Sequence, residues 1–393
     1  MNGAAFVAGY IGQAIELDRN TTQFVNAPYI NLMSQSFTVQ VWVYLYNLEP
    51  TSDMSIFTQC EINLVDRCLH YVVRQNRPYL GFFADDIIGR TNLTTSVWYH
   101  IAYVYDNVAN IKTIYLNGIS DGSSADSAKV PSVGAYLGTI GNTTIGAWTR
   151  SLSLAWDGLI DQLTVTNRVK TPCELLNDAS LVAHFNFDGS FSDIGPNSMG
   201  GTSNPQSNNG LSWVTGRVNQ SLNFNSSSSY FQSCGYYSLG QNQPFTIAMW
   251  INPSFPSGTL FHLSSAGTGS GAWCLPMIGF TSNGSIVVQT WTGSTNSIMG
   301  PILPINSWTH LLLTYSSTNG LRFYLNGGLY GSIAVNTFAS SNLLMCFLLG
   351  SSGLGTNCQT SLISMGQYSG AIDEVYIYNR ELNEMEVCPL AHP

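Results

Sequence analysis

Charge is what this sequence has least of. Only 9% of its 393 residues are Asp, Glu, Lys or Arg, against about 25% in an average soluble domain. The surface must therefore be built from Ser, Thr, Asn, Gln, Gly and Tyr. Basic residues are the scarcer sign: 13 Lys and Arg face 22 Asp and Glu, for a net charge of −9, and they form no run. Nucleic-acid partners, which need a positive patch, drop out. Long apolar runs are also missing. The longest, Leu343–Leu349, falls far short of the roughly 20 residues that span a bilayer as a helix, so no membrane span is expected. The N-terminus has no basic leader region and reads as folded domain, with no signal peptide in this chain. There is no C-x-x-C pair for a zinc ribbon or redox centre, no Gly-Lys-Ser/Thr phosphate loop behind the glycines of Gly267–Gly271, and no G-x-S-x-G elbow. Helical periodicity is almost absent; the best candidate is Glu381–Val387.

What the chain does have is a core and a repeat. Apolar residues make up 44% and aromatics 12%, too rich for disorder, and the length suits two domains. Gly9-Tyr-Ile-Gly-Gln-Ala-Ile15 parallels Gly216-Arg-Val-Asn-Gln-Ser-Leu222. Phe37-Thr-Val-Gln-Val-Trp42 parallels Phe245-Thr-Ile-Ala-Met-Trp250, and Trp98-Tyr-His100 parallels Trp308-Thr-His310. Tyr115-Leu-Asn-Gly118 returns as Tyr324-Leu-Asn-Gly327. Gly158-Leu-Ile-Asp161 with Asn167-Arg168 returns as Gly370-Ala-Ile-Asp373 with Asn379-Arg380. One domain occurs twice, over 1–179 and 180–393.

Both copies read as strands. Runs of Val, Ile, Phe, Tyr and Thr alternate with Gly/Ser/Asn clusters, and each Asn-Gly is a type I′ hairpin tip. Phe245–Ile251 is apolar on both faces, which marks a central strand. The expected class is all-β: two tandem antiparallel sandwiches or jelly rolls with very little helix.

These five motifs, in one order and twice, resemble the laminin-G-like, concanavalin A-like jelly-roll family. Leu181-Val-Ala-His-Phe-Asn-Phe-Asp-Gly189, followed by Asp193 and Asn197, is similar to the opening strand and loop of such a domain. The resemblance implies a two-sheet sandwich, commonly extracellular, which often binds glycans or protein ligands and sometimes holds calcium; some relatives are glucanases. Repeat 1 has no room for an equivalent opening strand before Gly9. It is therefore expected to expose a sheet edge open to strand exchange with a neighbouring repeat or another chain.

Candidate sites follow. For calcium, which takes several oxygen ligands, the set is Asp188, Asp193, Asn197 and Asp373, with hydrogen bonding to loop amides as the alternative for Asp161 and Asp373. For ligand contact, the candidates are Trp148, in a Gly/Thr-rich loop, and the Asp85-Asp86 pair, which has no repeat-2 counterpart. Trp42, Trp98, Trp250 and Trp308 read as core. His100 and His310 read as half-buried strand residues. A glucanase needs two carboxylates flanking the scissile bond, and the E-x-D-x-x-E of that branch is incomplete at Glu16 and Asp18, where the last position is Thr21; no enzyme is expected. The eight cysteines divide three and five between the repeats, so either a bridge joins them or each half keeps a free thiol. Cys60 pairs with Cys68 across a hairpin, Cys173 is left over, and the resemblance pairs Cys274 with Cys358. Disulfides and six N-x-S/T sequons fit an oxidising, extracellular setting within a larger protein. The favoured reading is a non-enzymatic recognition or adhesion module for a glycan or glycoprotein. A structural spacer in a longer array is the alternative, and a glucanase-like enzyme ranks third.

Overall fold

A computed structural model describes residues 3–124, 135–148, 150–204, 210–226, 228–355 and 357–393. The chain divides into two compact units, Met1–Ala179 and Ser180–Pro393, and each holds two antiparallel sheets. The first unit's larger sheet runs Ala5–Ala8, Gln13–Leu17, Gly158–Thr166, Phe37–Leu45, Trp98–Asp106, Ile111–Leu116, Ile119–Ser123. Its smaller sheet runs Val25–Ala27, Thr143–Ile145, Met54–Gln59, Leu69–Arg74, Arg77–Gly81, Asp86–Ile88. The second unit repeats the larger sheet as Leu211–Thr215, Gln220–Phe224, Ser369–Tyr378, Phe245–Phe255, Thr309–Ser316, Gly320–Leu325, Gly328–Ile333, and adds Leu181–Phe185 against Ser369–Tyr378. Its other sheet centres on Tyr230–Tyr236, Met345–Leu349, Thr259–Ser264 and Cys274–Phe280. The all-β tandem sandwich expected from the sequence is the observed fold.

The strands sit where their side chains dictate. Phe245–Phe255 is hydrogen-bonded on both edges, to Thr309–Ser316 and to Ser369–Tyr378, and its first seven residues are buried, as a run apolar on both faces requires. Between the sheets of the first unit lie Phe37, Val39, Val41, Phe57, Tyr71, Tyr103 and Trp156. Each such side chain contributes roughly 1.5–3 kcal/mol by leaving water. Both Asn-Gly tips take positive φ at both residues, 49° and 79° at Asn117-Gly118 and 48° and 83° at Asn326-Gly327, as the type I′ turn demands.

Two helices follow the closing strands. The helix Glu384–Leu390 overlaps the expected Glu381–Val387. Pro172–Ser180 was not expected as helix; it lays Leu175 against Ala102 and Val104 on the outer face of the first unit's larger sheet. Disulfides join Cys60–Cys68, Cys234–Cys346 and Cys274–Cys358, while Cys173 and Cys388 are free thiols. Each half thus keeps one. The Cys234–Cys346 bridge links directly paired strands.

Candidate functional site

The residues shared by the two repeats clamp the backbone. Asp161 accepts Ile11 N at 2.9 Å and Gln162 N at 2.8 Å. Asp373 accepts Arg217 N at 2.8 Å, Val218 N at 3.0 Å and Glu374 N at 2.9 Å. Each G-x-I-D carboxylate thereby pins the turn of the opposing G-x-x-x-Q motif. A Cβ on Gly9 or Gly216 would meet that carboxylate at 2.6 Å, so only glycine fits. Burial raises both acids, Asp373 to about 7, while the amide donors pull them back. The tip Asn117 exchanges two bonds with His100, its Oδ1 accepting His100 N at 2.9 Å and its N–H donating to His100 O at 2.8 Å. Asn326 does the same to His310. Both imidazoles are buried behind these clamps, and burial holds each at about 4, neutral near pH 7. Each Asn-Arg motif sends its arginine to a helix-capping glutamate, Arg168 to Glu174 and Arg380 to Glu386, in two-pronged pairs.

The repeats part company beside these clamps. In repeat 1 Tyr10 stacks on Trp42 with ring centroids 3.6 Å apart and meets Trp98 edge-on at 5.9 Å. Trp98 is buried there. Arg217 takes the place of Tyr10 in repeat 2 and lays its guanidinium 4.7 Å over the Trp250 ring. Trp308 is left half-buried rather than core, contrary to the sequence reading. It lines an open depression of about 400 Å³ with Arg217, Trp250, Ser307, Asn326, Ala391 and His392. Trp250 Nε1 donates to Leu390 O at 3.2 Å, so the end of the C-terminal helix forms one wall. Asn326 Oδ1 is spent on His310 N, and its Nδ2 has no partner among the described residues. The lining carries Arg217 and His392 and no carboxylate.

Most of the sequence-predicted site residues lie elsewhere. Asp85 is a correction: it forms an ion pair with Lys112 Nζ at 2.5 Å, both side chains at most 1% exposed, beneath the Phe82 ring. It cannot reach a ligand. Asp86, half-buried, belongs to the edge strand Asp86–Ile88 beside Tyr79. Trp148 covers the Cys60–Cys68 hairpin, its Nε1 donating to Cys60 O at 3.1 Å and its ring meeting His70 at 4.8 Å. The calcium set is divided among backbone clamps. Asp193 accepts His184 N, Gly195 N and Met199 N, each at 2.7 Å. Asp188 accepts Gln220 N, and Asn197 Nδ2 donates to Leu181 O and Val182 O. Among the described residues, two groups bring three possible metal ligands within 4.8 Å, Cys60/Cys68/His70 and His262/Cys274/Cys358, and their cysteines are disulfide-bonded. Glu16 and Asp18 line a second depression of about 440 Å³, in repeat 1, with Asp157. There Tyr46 Oη donates to Glu16 at 2.6 Å and Asn47 Nδ2 to Asp157 at 2.7 Å.

A laminin-G family model matches residues 19–176 and again 225–388, most of the chain. The chain belongs to the concanavalin A-like lectin/glucanase superfamily. No curated protein sequence matches it. Among solved structures it is similar to domain 4 of AbnA, an extracellular arabinanase of Geobacillus stearothermophilus, solved with arabinotriose: 21% identity, 54% of this chain, 98% of that one, TM-score 0.37. It is also similar to the binding domain of Paraclostridial Mosquitocidal Protein 1 (18%, 55% and 52%, TM-score 0.41) and that of botulinum neurotoxin serotype G (16%, 54% and 50%, TM-score 0.40). The chain spans about half the length of those two toxin domains. At such identities and scores, what those proteins bind says nothing of this superfamily member.

Sequence reasoning missed Arg217, Trp308 and His392. The available signal was a difference inside the repeat: Tyr10 and Arg217 occupy one motif position beside the same pair of tryptophans.

Proposed function

We propose that this chain is a non-enzymatic, extracellular glycan-recognition module whose ligand sits in the Trp308 depression of repeat 2. One observation carries the reading: the position that Tyr10 fills in repeat 1 is held by Arg217 in repeat 2, in a depression lined by the half-buried Trp308. An indole face takes the apolar face of a sugar ring, while Ser307, Asn326 Nδ2 and Arg217 offer polar partners to its hydroxyls. A depression of about 400 Å³ is within the usual range for small-ligand sites. The Arg217 guanidinium, with no carboxylate in the lining, favours a sugar acid over a neutral sugar. Three disulfides support an oxidising, extracellular setting. Among the described residues, no helix is long and apolar enough to cross a membrane.

A glycan array containing neutral and acidic sugars, followed by calorimetry, tests this. Trp308→Ala should weaken binding at least tenfold, about 1.4 kcal/mol, and Trp148→Ala should leave it unchanged. Binding untouched by Trp308→Ala would overturn the site. Release of reducing ends from a β-glucan, abolished by Glu16→Gln, would replace the reading with hydrolysis at the Glu16 cleft.

A further inference from the structure

The closing strands Gly158–Thr166 and Ser369–Tyr378 are counterparts, and one edge of each differs. On one side each runs along its sheet's central strand, Phe37–Leu45 or Phe245–Phe255. On the other, Gly370–Ile372 pairs with Gln220–Phe224, and Val375–Tyr378 pairs with Leu181–Phe185. In repeat 1, Gly158–Ile160 pairs with Gln13–Leu17 in the same way. The adjoining edge, Gln162–Thr166, has no strand among the described residues. Burial follows the pairing. Val375 and Ile377 are fully buried, whereas their counterparts Leu163 and Val165 are only partly buried against the core. In repeat 2 Phe185, opposite Val375, and Phe187, just past the end of the strand, are fully buried, and their rings meet Phe231 at 5.0 and 5.1 Å.

We propose that Gln162–Thr166 of repeat 1 is a strand-acceptor site for an extended, uncharged segment of a partner protein carrying two large apolar side chains two residues apart. The segment that fills the equivalent place in repeat 2 defines that chemistry: antiparallel, with Phe185 opposite Val375 at the end of the strand and Phe187, in a left-handed turn directly after it, also fully buried. A second copy of this chain is the wrong occupant. Each copy has two such edges and one such strand, and that strand is held by Asn197 bonding to Leu181 O and Val182 O and by the 2.7 Å His184–Glu374 contact. A second copy could fill the edge only by emptying its own. The edge also lacks the devices that normally blunt one: Gln162-Leu-Thr-Val-Thr166 has no lysine, proline or charge. Gln162 stands where Glu374 meets His184, so the incoming strand needs no histidine. Main-chain pairing would give affinity, and the alternating apolar side chains specificity.

Hydrogen exchange on the full chain, with and without a synthetic peptide of sequence Leu-Val-Ala-His-Phe-Asn-Phe with blocked termini, tests this. Without peptide, the amides of Leu163–Thr166 that face away from Phe37–Leu45 should exchange faster than their counterparts in Val375–Tyr378. Excess peptide should slow them at least tenfold and leave Val375–Tyr378 unchanged. A peptide with Phe185→Ser and Phe187→Ser should not protect them. Equal protection of the two edges in the free chain, or no slowing with peptide, overturns the proposal. Protection that rises with protein concentration alone would assign the edge to a second copy and overturn it too.

Discussion

His100 supplies a quantitative test of how this fold responds to acid. It is 2% exposed, no ion pair reaches it among the described residues, and burial holds it at about 4. An unfolded histidine titrates near 6.5. Between these values the unfolded chain binds a proton that the folded chain refuses. Unfolding free energy therefore rises with pH across that window: the contribution is complete above about 6.5 and lost as pH falls toward 4. A gap of about 2.5 units at 1.36 kcal/mol each gives about 3 kcal/mol, of which roughly 2.5 should be gone by pH 4.5.

Other groups titrate in the same window. His70, His262 and His310 are also held near 4 and add to the loss. Asp373, raised to about 7, works the other way, since the folded state then holds the proton that the unfolded carboxylate releases. The test is therefore a difference. Wild type and His100→Gln are unfolded in urea at steps from pH 7.5 to 4.5, and the free-energy gap between them is plotted. The gap should move by roughly 2–3 kcal/mol in favour of the variant as pH falls. A gap constant to within about 0.5 kcal/mol would show that His100 charges freely in the folded state and refute the argument.

Two further substitutions probe the clamps and the core. Asp161→Ala strands the N–H groups of Ile11 and Gln162 and should cost roughly 2–4 kcal/mol in urea unfolding; a loss below about 0.5 kcal/mol would mean the turn does not depend on it. Lys112→Met leaves Asp85 buried without its ammonium and should cost about 3–5 kcal/mol, while Lys112→Met with Asp85→Leu should recover most of that; a double variant as unstable as the single one would show that the pair stabilises beyond its own desolvation.

The sequence was legible where the determining chemistry is local or repeated. Asn-Gly tips, the central strand at Phe245 and the G-x-I-D motifs could be read because turn geometry and alternation act over a few residues. The helix Pro172–Ser180 was legible too but was missed: Thr171-Pro-Cys-Glu174 is a capping box with proline at the first helical position. Asp85 could not be placed, because nothing near it announces that Lys112, 27 residues away, will be buried against it. The Cys234–Cys346 bridge spans 112 residues and depends on strand order. The open state of Trp308 was hidden because Trp98 and Trp308 sit in the same motif; their exposure is set by Tyr10 or Arg217, on a different turn.

The duplication serves as an internal control on function. Where both copies carry the same polar residue, the structure finds a structural contact: aspartate on the amides of a turn, asparagine on the backbone of a strand, arginine on the glutamate that caps a helix. Those contacts explain the fold; Trp308 and Asn326 Nδ2 become candidates for a ligand only because what stands beside them differs between the copies. Binding chemistry has to be sought where the copies diverge on a shared scaffold, and they diverge in opposite senses. Repeat 1 fills the tryptophan depression with Tyr10 and leaves the Gln162–Thr166 edge unpaired. Repeat 2 opens the depression beside Arg217 and covers its edge with Leu181–Phe185. A spacer would gain nothing from either change, since each exposes apolar surface that its sister copy buries. The two sites draw on different elements, so Trp308→Ala should leave peptide protection at Leu163–Thr166 intact, and peptide should leave glycan affinity unchanged.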